Sequence, residues 1–352
     1  MNDYFLEKID KINEKIPETN KDPLSYTKRI VEQFPRIPEM RLRRVPMRVV
    51  KKTIRGLRNS KSTSHDDIST YAIKQLCNEI APWMKRLIIL SFEENKFPDP
   101  QDPNLLSWKC TRIVPIYKGK GDKTEMSSYR PVALLPVLSK VLEAVMCQQM
   151  YEHFERNLPV GRNSFKRLLS DRQHGYRSRM SCSSNIVQLL DDVLQDCQNG
   201  DETAICMADL SAAFDTVPHS ILLDKLKLYG LSPEAIIWFR SYLSNRSQYV
   251  DVQGSKSERK FIKVGVFQGS VDGPLLFIIY FNDLICLEDE ACSVSVYADD
   301  NNYKIRLGKD IEENRERIKS KLKEVEEYMN SNKLKFNVEK THDNVPQKDK
   351  NK

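Results

Sequence analysis

Residues 293–305, SVSVYADDNNYKI, place two acidic residues between two strand-like segments. Residues 293–297 alternate as a half-buried strand does, and residues 303–307 can form its partner strand. Two carboxylates about 4 Å apart repel each other by roughly 4 kcal/mol at an effective dielectric constant near 20. Asp299 and Asp300 must therefore be protonated, point apart into solvent, or bind a cation.

A third acidic residue, Asp209, stands near the end of the mostly apolar strand-like segment TAICMADL at residues 203–210. Because the strand ends there, its side chain is expected to face the hairpin tip. Three carboxylates at one sheet edge can bind two Mg²⁺ ions, with Mn²⁺ as an alternative, since hard cations prefer oxygen ligands. Two ions about 3.5 to 4 Å apart hold the attacking and leaving oxygens of an in-line phosphoryl transfer. The hairpin alone also fits an ordinary solvated turn.

A basic patch lies in residues 41–65, which carry nine Lys or Arg residues and no acidic residue. The whole chain of 352 residues has 56 Lys and Arg against 49 Asp and Glu, a net charge of +7. Such a patch can neutralise phosphates of a nucleic acid, although it also fits a solvated helix face. The candidate contacts are Arg41, Arg43, Arg44, Arg48, Lys51 and Lys52.

The eight cysteines form no C-x-x-C pair and no Cys/His cluster, so we expect buried, reduced thiols. The amino terminus is charged from its third residue. The longest apolar run, residues 274–281, is far shorter than the roughly 20 residues of a membrane helix. An intracellular, soluble protein of the nucleus or cytoplasm is therefore expected.

Helices and strands are mixed along the chain without strict alternation. Apolar stripes at residues 186–194 and 311–329 predict helices, as do the segments after Pro136, at residues 219–229 and after Pro233. Strand-like segments occupy residues 110–117, 203–210, 248–252, 261–266 and 294–298. This mixture favours an α+β domain with an antiparallel sheet over a doubly wound fold.

Six sequence motifs, in order and with matching spacing, resemble the reverse transcriptases of non-LTR (LINE-type) retrotransposons across residues 61 to 341. The motifs are YKGKGDKTEMSSYRPVALLPVLSKVLEAVM, QHGYRSRMSCSSNIVQLLDDV, ADLSAAFDTVPHSILLDKL, GVFQGSVDGPLLFIIYFNDL, YADD and SNKLKFNVEKT. A lone YADD would be weak evidence. Six motifs in the family's order are specific.

The resemblance implies a right-hand polymerase of class α+β, with an antiparallel palm sheet backed by helices. Residues 1–62 would be a basic, mainly helical extension, residues 63–200 the fingers, residues 201–341 the palm, and residues 342–352 a polar, disordered tail. The family continues into a thumb and this chain does not, so the thumb is apparently missing. A fragment or a decayed copy is expected on that ground.

The resemblance also assigns roles to residues. Asp209, Asp299 and Asp300 match the metal ligands, with the carbonyl of Leu210 as a further one, and Lys340 matches a lysine near the leaving pyrophosphate. Phe214 matches an aromatic gate that excludes a ribose 2′-hydroxyl, with a core phenylalanine as the alternative. Residues that match positions holding the nucleotide or the nascent pair are Lys118, Arg130, Gln268 and Gly269.

Three of the departures from the family pattern are single residues. Phe267 stands where the family usually has Pro, Asp272 stands where it has an aliphatic residue, and Asn301 stands where it commonly has Thr. An unpaired buried carboxylate at Asp272 would be costly or would be protonated.

The resemblance implies an RNA-directed DNA polymerase that transfers a nucleotide from a dNTP to a primer 3′-hydroxyl. Its partners would be an RNA template, a DNA primer and dNTPs, with no membrane and with an oligomeric state that the sequence leaves open. Two alternatives stand beside it: a truncated, inactive RNA-binding remnant, and a protein like a group II intron maturase. The absence of a maturase thumb and the wording of the motifs count against the maturase.

Overall fold

A computed structural model describes residues 1–100, 107–161, 164–267 and 269–337, and the backbone of residues 342–344. Its secondary structure is of the α+β class, as the sequence predicts. The α-helices are α1 (Asn2–Glu14), α2 (Leu24–Val31), α3 (Met47–Gly56), α4 (Thr70–Gln75), α5 (Cys77–Glu93), α6 (Val137–Phe154), α7 (Cys182–Gln198), α8 (Ala213–Thr216), α9 (His219–Leu228), α10 (Pro233–Leu243), α11 (Asp272–Tyr280) and α12 (Ile311–Ser331). The strands are β1 (Cys110–Tyr117), β2 (Tyr129–Leu134), β3 (Leu158–Pro159), β4 (Phe165–Lys166), β5 (Glu202–Ala208), β6 (Ser247–Val252), β7 (Ser255–Lys256), β8 (Lys260–Phe261), β9 (Cys292–Tyr297), β10 (Asp300–Leu307) and β11 (His342–Asn344).

The first sheet has the order β11-β5-β10-β9, and each neighbouring pair is antiparallel. Alternate residues of β5 and β10 are buried, as a strand with one face on the core requires. The hairpin predicted at residues 293–307 is confirmed as β9 and β10. Residues 342–344, which the sequence places in a tail, pair with β5 as β11.

The second sheet has the order β2-β1-β6-β7, and β8 pairs with β6. β1 is antiparallel to β2 but parallel to β6, so this sheet is mixed. Because β6 follows β5 in the chain, segments on both sides of β5 build this sheet. The two sheets are therefore interleaved in sequence.

Helix α7 covers part of the first sheet with its polar side. The Asp196 carboxylate accepts a 2.7 Å hydrogen bond from Lys304 Nζ, and the Asp192 carboxylate accepts a 2.8 Å bond from Ser293 Oγ. The apolar stripe predicted for this helix lies on its other side. The stripe residues Ile186, Val187, Leu190 and Leu194 are each more than half exposed.

A buried ion pair and its hydrogen bonds join four α-helices, α2, α9, α11 and α12, to the 3₁₀ helix Asn282–Leu287. Lys225 Nζ lies 2.8 Å from the Asp283 carboxylate, and both side chains are fully buried. The same carboxylate accepts hydrogen bonds from Tyr328 Oη at 2.6 Å and from Thr27 Oγ1. Lys225 also donates to the Tyr280 carbonyl at 2.8 Å. The charge of each partner is thus compensated inside the core.

The strand predicted at residues 261–266 is wrong beyond its first residue. β8 ends at Phe261, and the backbone amides of Gly265 and Val266 donate to the carbonyls of Val217 and Phe214 at 2.8 and 2.7 Å. Gly265 has φ of +95°, which is outside the strand region. The segment therefore packs on the loop around α8 instead of joining a ladder.

The predicted burial of the thiols is wrong for two cysteines. All eight are free, but Cys182 and Cys197, near the two ends of α7, are exposed. Within the described ranges, no helix combines the length and apolar character that crossing a membrane would require.

Candidate active site

The strand register brings two of the predicted acidic residues together. β10 pairs with β5 so that Asn301 lies opposite Ala208. Continuing this antiparallel register by one residue places Asp300 opposite Asp209, where Cβ atoms are typically about 5 Å apart. Asp209 and Asp299 are partly exposed and Asp300 is exposed, so the site opens to solvent.

Asp209 is held by a residue to which sequence reasoning gave no role. Asn337 Nδ2 donates to the Asp209 carboxylate at 3.0 Å, and the Asn337 amide donates to the Asp209 carbonyl at 2.8 Å. Leu210 and Phe336 form an isolated antiparallel β-bridge between the segments of Asp209 and Asn337. The hydrogen bonds of this bridge run from the Ser211 amide to the Lys335 carbonyl and from the Asn337 amide to the Asp209 carbonyl, so the Leu210 carbonyl is not an acceptor in it.

The turn that carries Asp299 is held by a segment more than a hundred residues earlier in the chain. Ala298 has φ of +59°, which is uncommon for a residue other than glycine. Gln173 Oε1 accepts hydrogen bonds from the amides of Ala298 and Gly175 at 3.0 and 2.7 Å. A Cβ atom on Gly175 would lie 2.3 Å from the Ala298 nitrogen, so only glycine fits there. Gln173 and Gly175 of the second motif thus support this turn, whereas the His174 ring bonds to Ser184 and Gln188 of α7.

The Asn301 side chain also stabilises this turn by hydrogen bonds. Its side chain is fully buried, and Nδ2 donates to the carbonyls of Ala208 and Asp299 at 3.2 and 3.0 Å. The departure from the family's usual Thr at Asn301 therefore joins β5 to the turn by side-chain hydrogen bonds.

The carboxylates of Asp209, Asp299 and Asp300 and the carbonyl of Leu210 offer oxygen atoms, the type of ligand that suits a divalent metal. Carboxylate and carbonyl oxygens are what Mg²⁺ prefers, and the partly exposed sheet end leaves room for its waters. Among the described residues, no three His, Cys, Asp or Glu side chains converge closely enough to hold a metal ion. The backbone therefore gathers the acidic residues at one end of the sheet without closing them around one centre.

Phe214 lies in a stack of aromatic rings. Its ring stacks on Phe277 with centroids 4.4 Å apart, and Tyr176 packs edge-on at 6.1 Å. Phe214 is 7 % exposed, whereas Tyr176 is 50 % exposed. Burial raises the pKa of Tyr176, and the nearby charge of Asp299 adds to that rise. Tyr176, which sequence reasoning did not single out, therefore contacts Phe214 and lies near Asp299.

Lys118 and Arg130 lie on one side of the β1–β2 hairpin. Arg130 is opposite Ile116, and Lys118 is two residues further along from Ile116 on the same side. Lys118 Nζ donates to the Ser127 carbonyl at 2.6 Å, and Arg130 is exposed. The backbone thus places the two predicted triphosphate contacts on the same side of the hairpin.

Gly269 adopts φ of +120°, and a Cβ atom there would lie 2.6 Å from the Ala133 carbonyl oxygen. The loop that carries Gly269 therefore runs close against β2. Gln268 and Lys340, the two other residues assigned by resemblance, lie outside the described residues.

The basic patch is partly neutralised by ion pairs. Arg43 pairs with Glu152 at 2.5 Å, Arg44 pairs with Glu93, and Arg41 pairs with Glu39 at 2.5 Å. The three remaining candidates, Arg48, Lys51 and Lys52, lie on α3.

Asp272 belongs to a buried cluster of charged groups beneath the loop of Gly269. Asp272 is 2 % exposed, and neither carboxylate oxygen accepts a hydrogen bond of ordinary geometry, although the buried Cys147 thiol lies close to it. Burial raises the pKa of Asp272 well above its usual range, and the nearby Glu143 raises it further. The Arg246 guanidinium opposes this rise and lies over the rings of Tyr242 and Phe267 at 4.1 and 4.8 Å. The departure at Phe267 thus provides a ring against a buried cation.

The raised pKa of Asp272 makes stability depend on pH. The folded state keeps a proton that the unfolded state loses above about pH 3.8, the ordinary pKa of Asp. The contribution is therefore complete below that pH and is lost as pH rises toward the folded pKa. In the parent chain the urea midpoint of unfolding should fall as pH rises from 4.5 to 8. We expect this fall to be smaller in Asp272→Asn.

Two other groups leave a residual slope, because burial raises the pKa of Asp215 to about 6 and also raises that of Glu143. Asp191→Asn, at an exposed position of α7, is the control. A pH profile of Asp272→Asn identical to that of the parent chain would contradict the assignment.

Comparison with known proteins identifies relatives of this chain. A family model described as reverse transcriptase (RNA-dependent DNA polymerase) matches residues 118–349. The RNA-directed DNA polymerase from mobile element jockey of Drosophila melanogaster is 26 % identical over 281 residues, 77 % of this chain and 29 % of that protein.

Two further relatives come from the same fly. The probable RNA-directed DNA polymerase from transposon BS is 27 % identical over 72 % of this chain and 27 % of its own length. The putative 115 kDa protein in type-1 retrotransposable element R1DM is 32 % identical over 55 % of this chain and 17 % of its own length. The chain thus spans less than a third of the length of these relatives.

Proposed function

This chain belongs to the reverse transcriptase (RNA-dependent DNA polymerase) family, and from that premise we propose that it carries the nucleotidyl-transfer site of a non-LTR retrotransposon protein. It extends the 3′-hydroxyl of a DNA primer with deoxynucleotides on an RNA template. The observation that carries this proposal is the register that sets Asp300 opposite Asp209. Both residues lie within the segment that the family model matches.

The acidic residues form the metal site in this proposal. Asp209, Asp299, Asp300 and the Leu210 carbonyl would hold two Mg²⁺ ions, or Mn²⁺ in their place. Divalent ions bound there would supply electrostatic stabilisation of the attacking and leaving oxygens. Asn337 orients the Asp209 carboxylate, and Gln173 holds the turn of Asp299. These supports keep the acidic residues positioned before any ligand arrives.

The hairpin of β1 and β2 binds the triphosphate in this proposal. Lys118 contributes a point charge and Arg130 a planar set of donors, which suits phosphate oxygens. Lys340 would act on the pyrophosphate that leaves. Gln268 and Gly269 would position the nascent pair, and the α3 patch would contact phosphates of the template and primer.

The domain boundaries follow the same proposal. Residues 1–62 are an N-terminal extension, residues 63–200 the fingers and residues 201–341 the palm. The interleaving of β6 with β1 supports a close connection between fingers and palm. It also means that the second sheet contains residues from both segments.

Primer extension on the purified chain tests the function. The assay uses a homopolymer RNA template, a DNA primer, the matching dNTP and Mg²⁺. Extension that needs both the template and the matching dNTP is expected. A folded chain that binds the hybrid but adds no nucleotide would favour the inactive RNA-binding remnant.

The aromatic stack predicts how the chain selects its sugar. Phe214→Val is expected to raise the ratio of rNTP to dNTP incorporation severalfold, because space opens beside the ribose 2′-hydroxyl. It should also lower the free energy of unfolding by about 2 to 3 kcal/mol, because a buried ring is truncated. Single-nucleotide kinetics with rNTP and dNTP measure the ratio, and urea unfolding measures stability.

Phe277→Val is the matched control, because Phe277 is fully buried and its ring stacks on Phe214. It should cost similar stability and leave the ratio unchanged. Equal ratios in both variants would return Phe214 to a purely structural role.

A further inference from the structure

Helix α1 carries a row of lysines that lies near the end of β5, the strand that precedes Asp209. Lys8, Lys11 and Lys15 recur at spacings of three and four residues, so they share one face of the helix. That spacing normally marks an apolar face that packs on a core. Here the face lines an open surface pocket of about 370 Å³, with Ser211 and Lys335 on its other side. Lys8, Lys11 and Lys15 are exposed, so a ligand can reach them from solvent.

The pocket lies beside the predicted active site. Ser211 is two residues after Asp209, which corresponds to about 7 Å along an extended chain. The Ser211 amide donates to the Lys335 carbonyl at 2.8 Å, in the same bridge through which Asn337 binds Asp209. Lys335 and Asn337 are therefore two residues apart on the segment that supports the catalytic acid.

The charges around the pocket are unbalanced. Four lysines line it, and none of its lining residues is acidic. Lys335 Nζ donates to the Lys15 carbonyl at 3.4 Å, which brings the fourth lysine to the row. Lys11 lies 3.8 Å from Glu7 in an exposed pair, and the half-buried Asp215 is near Lys8. The clustered positive charge would be relieved by a bound anion with several charges.

The opposite side of α1 fixes the helix in place. Phe5 is 7 % exposed and packs in a cluster with Ile113, Ala133 and Val250 of the second sheet. Asn2 Nδ2 donates to the Glu258 carbonyl at 3.0 Å, and Gln248 Nε2 donates to Asn2 Oδ1 at 3.0 Å. The lysine row is thus held by a packed helix between the second sheet and α8, and not by a loose tail.

We infer that α1 and Lys335 form a phosphate-binding site beside Asp209, for a ligand that carries several adjacent phosphate groups. That chemistry has two sources at a polymerase site, the triphosphate of a nucleotide and the backbone of a nucleic acid. The identity of the biological ligand rests on the proposed function. The presence of a phosphate-binding site rests only on the arrangement of the lysines.

Equilibrium binding tests the inference without any polymerase activity. The probes are inorganic tripolyphosphate, and an RNA/DNA hybrid of fixed length at several salt concentrations. The variant carries Lys8→Gln, Lys11→Gln and Lys15→Gln. The matched control carries Lys309→Gln, Lys319→Gln and Lys323→Gln, which removes the same charge from exposed positions elsewhere. Circular dichroism and thermal unfolding confirm that each variant is folded.

A nucleotide-type site predicts at least a tenfold loss of tripolyphosphate affinity in the α1 variant and little change in the control. A backbone site predicts instead weaker hybrid binding, with a logarithmic salt slope reduced by up to about 0.9 for each phosphate that the variant no longer neutralises. The same three lysines changed to Arg should keep binding, because the charge remains. Either pattern supports the site, and the pair of probes identifies the source of phosphate.

Two results would overturn the inference. One is equal loss of binding in the α1 and control variants, which would indicate net charge alone. The other is a parent chain that binds neither probe at low salt. If the parent chain binds tripolyphosphate but extends no primer, the site stands and the proposed polymerase function fails.

Discussion

Asp209→Asn is expected to lower nucleotide incorporation by roughly a thousandfold or more while leaving the fold intact. The amide keeps the shape of the carboxylate and can still accept from Asn337 Nδ2, which lies 3.0 Å from the carboxylate in the parent chain. It loses the negative charge that a divalent metal requires. A loss of about 4 kcal/mol of transition-state stabilisation corresponds to this factor, since each tenfold change in rate is about 1.4 kcal/mol.

Single-turnover incorporation of one dNTP measures this effect, and Asp300→Asn should behave in the same way. Thermal unfolding and hybrid binding should stay near those of the parent chain. Asp191→Asn is the matched control, because Asp191 is exposed on α7 and bonds only to Gln195 among the hydrogen bonds resolved for it. Extension at the parental rate by Asp209→Asn would refute the catalytic assignment of the acidic residues.

Asp283→Ala is expected to destabilise the chain by about 3 to 5 kcal/mol. The change leaves the Lys225 ammonium fully buried without its partner, and Tyr328 and Thr27 lose their acceptor. Burial already lowers the pKa of Lys225, and the Asp283 carboxylate opposes that shift. Without the carboxylate, we expect either that Lys225 loses its proton or that the surrounding structure unfolds and exposes the ammonium group to water.

Urea unfolding at neutral pH measures the loss, and a double variant provides the control. Lys225→Met together with Asp283→Leu replaces the ion pair by apolar groups, and it should be far less destabilised than Asp283→Ala. A second control, Glu316→Ala, breaks an exposed pair with Lys319 and should leave the midpoint almost unchanged. If the double variant is as unstable as the single one, the cost is lost packing and not an uncompensated charge.

Local patterns were enough to predict the elements that position the acidic residues. The alternation of residues 293–297 and the apolar run before Asp209 gave the three strands of the site. Register could not be read from either segment alone, because it depends on which strands pair. The sequence led us to expect Asp209 near the hairpin tip, and the structure shows that it reaches this place because β5 pairs with β10.

Other features depend on contacts that no local pattern records. The stripe on α7 predicts a helix, but it does not say which side packs, and hydrogen bonds to Ser293 and Lys304 turn the polar side inward. Asn337 carries no periodic signal, although it binds Asp209. The segment after Phe261 has strand-forming residues, yet Gly265 and the carbonyls near α8 draw it away from the sheet.

The ion pair of Lys225 and Asp283 also has a consequence for the order of folding events. Asp283 is 58 residues from Lys225, 45 from Tyr328 and 256 from Thr27 along the chain. Contacts of such long sequence separation raise the contact order, and loop closure must precede them. Dehydrating Lys225 before Asp283 arrives would be unfavourable, so we expect the ion pair to form after the folding barrier is crossed. Interactions made after the barrier slow unfolding more than they speed folding. We therefore expect this ion pair to lower the unfolding rate of the native state and to have little effect on the folding rate.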